Sequence, residues 1–144
     1  MKPYADHRKA RYHYEILETF EGGLALTGQE VKSIREGGAK LEGAYLRLIR
    51  GELWLVGARI APYTKSTPTA DYDPEAPRKV LVRQRELRVL LGKTQQKGLT
   101  LIPLSFYPKA RRIKISFALC RGRKAPDKRE KLKARDLMRE ASRG

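Results

Sequence analysis

A single cysteine, Cys120, leaves no partner for an internal disulfide, so the fold must hold without one, as suits a reducing compartment. No apolar run approaches the roughly 20 residues needed to span a bilayer. The start, Met1 to His7, lacks the apolar core of a signal peptide, and a cytoplasmic protein is expected. Acids are scarce: 16 Asp and Glu stand against 32 Lys and Arg, a net charge of +16. That imbalance opposes compaction unless a polyanion offsets it, and nucleic acid or an anionic membrane surface would do so. Histidine is scarce too. His7, His13 and Cys120 have no metal-ligand spacing, so neither a metal nor a cofactor is expected. No Ser, His and acid grouping is visible along the chain, although such groupings also form in space. Glu42 and Glu52 read as surface charge. Gly92-Lys93-Thr94 imitates the end of a phosphate-binding loop, but the glycine needed at position 87 is Leu87, so a helix stop and loop is the better reading. A binding protein is expected, not an enzyme.

The apolar residues that are present fall into short patterned segments. The first eleven residues are polar and basic and read as a flexible arm. Tyr12 to Leu17 and Phe20 to Leu26 read as two strands, with Glu21-Gly22-Gly23 near a turn between them. Thr27-Gly28-Gln29-Glu30 matches a capping box and opens a helix that Gly37-Gly38 ends. Tyr45 to Ile49 and Leu53 to Val56 form a hairpin about Arg50-Gly51. Ala58 to Pro62 continues as a short strand. Thr64 to Pro77 is a long proline-rich surface loop. Lys79 to Val82 reads as a strand, and Gln84 to Leu91 as a helix ended by Gly92. Leu99 to Tyr107 shifts its apolar phase: Leu99 and Leu101 face one way, Ile102, Leu104 and Phe106 the other. A bulge beside Pro103, at a locally unpaired edge, explains the shift. Ile113 to Cys120 alternates strictly, with Cys120 a structural thiol. Short strands with two or three helices among them point to a mainly β fold, an antiparallel oligonucleotide-binding-type (OB-like) barrel over residues 1–122.

The last segment differs. Residues 121–144 hold ten basic residues and four acids, with few aliphatics, so residues 123–144 read as a basic tail outside the core. Pro126 precedes a capped start at Asp127, and Ala134, Leu137, Met138 and Ala141 form a thin apolar stripe at helical spacing. An isolated helix of this length is marginal in water. The tail is therefore expected to be disordered alone and helical against a partner. A solvated basic appendage and a lipid-binding helix are the other readings. Basic residues also gather beside aromatics. Arg8, Lys9 and Arg11 precede Tyr12 and Tyr14, and Tyr107 precedes Lys109, Arg111 and Arg112. Cationic grooves with stacking surfaces suit single-stranded or looped RNA. Each tyrosine fits a half-buried strand position equally well.

Several ordered blocks carry a family likeness. They are Arg8 to Tyr12, Phe20 to Arg35, Gly51 to Leu55, Ile60 to Tyr63, Arg78 to Val82, Lys97 to Leu104 and Gly122 to Glu130. From about Arg8 to its end the chain resembles the small protein B family of bacteria, which binds transfer-messenger RNA. The resemblance implies trans-translation, the rescue of ribosomes stalled on messages without a stop codon. It implies binding to the tRNA-like domain and delivery with elongation factor Tu and GTP. It also implies a monomer whose tail enters the empty mRNA channel by the decoding centre of the small subunit. The family's RNA-binding acid, aliphatic and lysine positions match Glu21, Leu81 and Lys114. The candidate RNA-binding set is Lys9, Arg11, Tyr12, Glu21, Lys32, Arg35, Lys79, Leu81 and Lys114. The candidate ribosome-binding set is Gly122, a pivot, with Lys124, Asp127, Lys128, Arg129, Lys131, Lys133, Arg135 and Arg139. His7 and Pro126 depart from the common family residues. A nuclease with a dispersed site and a general OB-fold translation factor or ribosome-associated RNA-binding protein are the alternatives.

Overall fold

Ile113, Ile115, Phe117 and Leu119 point inward from one strand, all 6% exposed or less, as strict alternation demands of a half-buried strand. The computed structural model of the chain describes residues 2–65 and 71–122. In chain order its elements are β1 (Ala5–Asp6), α1 (Ala10–His13), β2 (Tyr14–Leu24), α2 (Gly28–Arg35), β3 (Ala39–Lys40), β4 (Tyr45–Ile49), β5 (Glu52–Val56), β6 (Arg59–Ile60), β7 (Arg78–Leu81), α3 (Gln84–Thr94), β8 (Leu99–Lys109) and β9 (Arg112–Gly122). Successive antiparallel pairs run β8–β4, β4–β5, β5–β7, β7–β2 and β2–β9, and β9 returns to β8. The strands thus form a ring of the expected OB-like kind, with three short helices among the described residues. The β4–β8 seam is the thinnest, resting on the single pair Leu46↔Leu101. Leu53, Leu55, Leu101, Phe106, Ile115 and Phe117 fill the ring. Each such buried side chain contributes roughly 1.5–3 kcal/mol.

Two bulges set which residues face out. The β2–β9 register slips between Ile16 and Glu18. Ile16 therefore packs on an outer cluster with Cys120, whereas Phe20 faces inward and stacks on Phe117 at 5.6 Å. The β8–β9 register slips between Pro103 and Ser105, as the apolar phase shift predicts. Ile102 and Phe106 consequently lie in different clusters and not on one face. Pro103 stands at the locally unpaired edge expected, in the gap between the β4 and β1 ladders. It pairs with Phe117 of β9 and is fully buried, where the strand on the other side changes from β4 to β1. A proline, lacking an N–H, fits that change of partner.

Four sequence expectations are corrected. The N-terminal residues are not a flexible arm. Ala5 and Asp6 pair with β8, the His7 N–H donates to the Leu104 carbonyl at 2.8 Å, and the His7 Nδ1–H donates to the buried Pro103 carbonyl at 2.9 Å. Ala10 seals the outer cluster of Ile102, Ala118 and Cys120. The two strands expected over Tyr12–Leu26 are one, β2, with Tyr12 in α1 before it. Gly22-Gly23 makes no turn. A Cβ on Gly22 would lie 2.9 Å from Val80 Cγ1, so the glycine lets β7 cross closely onto β2. Helix α3 runs through Gly92 to Thr94, and the left-handed glycine that follows is Gly98, with φ of 85°.

The capping box of α2 forms as read: Thr27 Oγ1 accepts from the Glu30 N–H, and the Thr27 N–H donates to Glu30 Oε1. Glu30 also holds Arg78 of β7. Its Oε2 accepts from Arg78 Nη2 at 2.7 Å and Nε at 2.9 Å. The same guanidinium donates to the Ala58 and Pro74 carbonyls and to the Tyr72 hydroxyl. This pair is buried, at 7% and 4% exposure, and locks α2 and the 71–76 segment to β7.

A basic outer face with one engaged carboxylate

Gly23 pairs with Leu81 of β7 on one side and with Lys114 of β9 on the other. Residues directly opposite in a ladder share a face, so Leu81 and Lys114 flank a residue with no side chain. The gap opens into a groove of about 420 Å³ lined by Gly23, Leu24, Leu26, Val31, Arg35, Leu81, Arg111, Arg112, Ile113 and Lys114. Leu81 is 49% exposed at its rim, an unusual place for a large apolar side chain beside cations.

Glu21 sits two residues before Gly23 on the same face, opposite Ser116. Lys109 Nζ donates to both its oxygens, at 2.9 and 3.2 Å, and the Tyr107 hydroxyl donates to it as well. Together they hold the Glu21 carboxyl below the usual carboxylate range, the Tyr107 hydrogen bond counting first and Lys109 second. The Tyr107 phenol is pushed above its ordinary value by desolvation and then by Glu21. The carboxylate is therefore ionised and the phenol protonated at neutral pH.

Arg35 closes the far side. At the end of α2, its Nη2 reaches the Arg111 carbonyl at 3.5 Å. Arg111 lies in the tight β8–β9 turn, where Ala110 and Arg111 have φ of 50° and 65°. Two non-glycine residues in the left-handed region are strained, and the flanking ladder pair Lys109↔Arg112 holds them there.

The structure thus brings Glu21, Arg35, Leu81 and Lys114 together. Lys79 is on the same parity of β7 as Leu81 but pairs outward with Glu52 at 3.4 Å. Lys32 does not line the groove; its Nζ lies 5.6 Å from the Tyr63 ring centroid. Lys9, Arg11 and Tyr12 are elsewhere, at the start of β2, where Tyr14 pairs with Gly122. The strand between them and Gly23 spans roughly 30 Å at about 3.3 Å per residue. Tyr12 is 78% exposed, whereas Tyr14 and Tyr107 are half-buried. Gly122 ends β9 with its backbone exposed. Lys124, Asp127, Lys128, Arg129, Lys131, Lys133, Arg135 and Arg139 lie outside the described residues. Tyr107, Lys109, Arg111 and Arg112 join the site without having been in the candidate set. Their signal was the run of aromatic and basic residues from 107 to 112, which only the bulge at Leu104 turns onto this face. Cys120 is buried beneath α1, and burial pushes its thiol up to about 11. No helix among the described residues is long and apolar enough to cross a membrane.

Architecture and surface together define a class: a basic, OB-like β-protein with a charged, grooved outer face. The family described as SmpB protein matches residues 4–144. The SsrA-binding protein of Trichormus variabilis is 49% identical over 142 residues, covering 99% of this chain and 92% of the relative. That of Thermosynechococcus vestitus is 47% identical, with 99% and 94% covered. A chain in a solved structure described as "tmRNA-SmpB: a journey to the center of the bacterial ribosome" is 50% identical, with a TM-score of 0.69 over 83% of this chain and 84% of that one. The chain belongs to the SmpB protein family.

Proposed function

We propose that this chain binds the tRNA-like domain of transfer-messenger RNA and serves ribosome rescue by trans-translation. The observation that carries the reading is the meeting of Glu21, Leu81 and Lys114 around Gly23, in a chain half identical to SsrA-binding proteins. A carboxylate repels phosphate but accepts from the amino group of an unpaired base, so Glu21 reads a base. Lys114, Arg35, Arg111 and Arg112 take phosphates, which position the RNA without specifying sequence. Leu81 covers an apolar base or ribose surface. The body, residues 1–122, and the tail, residues 123–144, have separate targets. The body holds the RNA, and the tail, hinged at Gly122, enters the vacant mRNA channel of the small subunit through Asp127, Lys128, Arg129 and its basic stripe. The protein works as a cytoplasmic monomer, by binding alone and without catalysis, in a complex delivered with elongation factor Tu and GTP.

A titration of labelled tRNA-like domain, with ordinary transfer RNA as competitor, tests this. Binding that survives excess transfer RNA is expected. Equal competition would replace the reading with that of a general OB-fold RNA binder.

A further inference from the structure

We infer that Lys109 and Tyr107 are positioning residues that fix the Glu21 carboxylate for a donor on the RNA. The inference rests on the RNA-reading role proposed for this face. Glu21 stands on β2 and its two partners on β8, with β9 between them. The side chains meet diagonally across β9: Glu21 pairs with Ser116, whereas Tyr107 pairs with Lys114, the next residue of β9 on that face, and Lys109 with Arg112 beyond it. Lys109 grips both carboxylate oxygens at 2.9 and 3.2 Å, which fixes the plane of the group. Tyr107 adds a hydroxyl donor. A carboxylate offers about four acceptor positions. Lys109 takes one on each oxygen, and the Tyr107 contact narrows what is left for a base amino group.

Charge gives the same answer. The groove beside Glu21 carries Arg35, Arg111, Arg112 and Lys114, and an uncompensated carboxylate would repel the phosphates they attract. Lys109 neutralises Glu21 without occupying all its acceptor positions. An exposed glutamate without such partners samples several rotamers and must lose that freedom on binding. At 58% and 41% side-chain exposure the Lys109–Glu21 pair adds little to folding. Its consequence is orientation.

The test uses the full chain and the labelled tRNA-like domain, with affinity measured across a salt series. Lys109→Met is expected to bind about five- to tenfold more weakly, a typical size for coupled neighbours. Its salt slope should be unchanged, and Lys109→Arg should restore binding to within about twofold. Tyr107→Phe should lose less. In a Glu21→Ala background, Lys109→Met should add under about twofold, because there is nothing left to orient. Thermal unfolding of each variant should match the parent. A salt slope shallower by about 0.7–0.9, with losses that add to that of Glu21→Ala, would make Lys109 a direct phosphate ligand and overturn the inference. Full binding by Lys109→Met alongside weak binding by Glu21→Ala would overturn positioning alone. Full binding by Glu21→Ala would remove the base-reading role and this inference with it.

Discussion

Cys120 and Gly22 show how single residues on this scaffold are chosen for space. Cys120 lies fully buried against Ala10, Ile102 and Ala118, and its thiol is pushed up to about 11 from 9.0 by burial. At pH 8 the folded chain therefore presents almost no thiolate. A disulfide reagent such as Ellman's should react slowly with native protein and fast in denaturant. Fast reaction of the native protein would contradict the burial. Because the folded value is the higher one, the folded state holds this proton more tightly. The associated stability is complete below pH 9 and is lost as pH rises through about 11. At Gly22, an added Cβ meets Val80 Cγ1 at 2.9 Å and Val82 Cγ1 at 3.1 Å. Gly22→Ala should destabilise by about 1–3 kcal/mol in a denaturant titration, and Val80→Ala in the same chain should recover part of the loss. An unchanged midpoint for Gly22→Ala would mean that β7 yields without cost. Glu21, Leu81 and Lys114 could be named from resemblance, but only the two ladders that meet at Gly23 make neighbours of them.

Elements whose signals are local were legible. The α2 capping box, the Arg50-Gly51 hairpin, the β9 alternation and the β8 bulge all appear where sequence spacing puts them. Elements decided by distant contacts were not. Gly22-Gly23 reads as a turn because a turn is the commonest local use of two glycines, whereas here they make room for a strand from elsewhere. The N-terminal residues read as an arm because their polar composition hides the few small buried ones, Ala5 and Ala10, that dock them. Glu30 reads as a cap, and nothing in sequence joins it to Arg78, 48 positions away. That ion pair carries the element-scale prediction. Removing either partner strands a buried charge. Arg78→Ala and Glu30→Ala should each cost about 3–5 kcal/mol of unfolding free energy. They should also release α2 and with it Arg35, so RNA binding falls even where the chain still folds. A loss below about 1 kcal/mol, the scale of an exposed pair, would show that water reaches this pair.

At the scale of the molecule, the surplus of 32 basic over 16 acidic residues makes ionic strength the main experimental variable. Affinity for the tRNA-like domain should fall steeply with salt, by about 0.7–0.9 in log slope for each phosphate neutralised. A flat titration would remove phosphate contacts as the main source of binding. Deleting residues 127–144 should leave that affinity nearly intact and abolish peptide tagging on stalled ribosomes. Normal tagging by the shortened chain would refute separate targets for body and tail. The groove and the end of β9 are joined by a shared beam. Strands β2 and β9 run side by side from the Gly23↔Lys114 pair to the Tyr14↔Gly122 pair. Twisted, cross-braced strands bend little, so the point at which the chain leaves Gly122 keeps a constant offset from the groove. The pair behaves as a gauge bar: once one end is seated on its ligand, the starting point of everything beyond residue 122 is already surveyed.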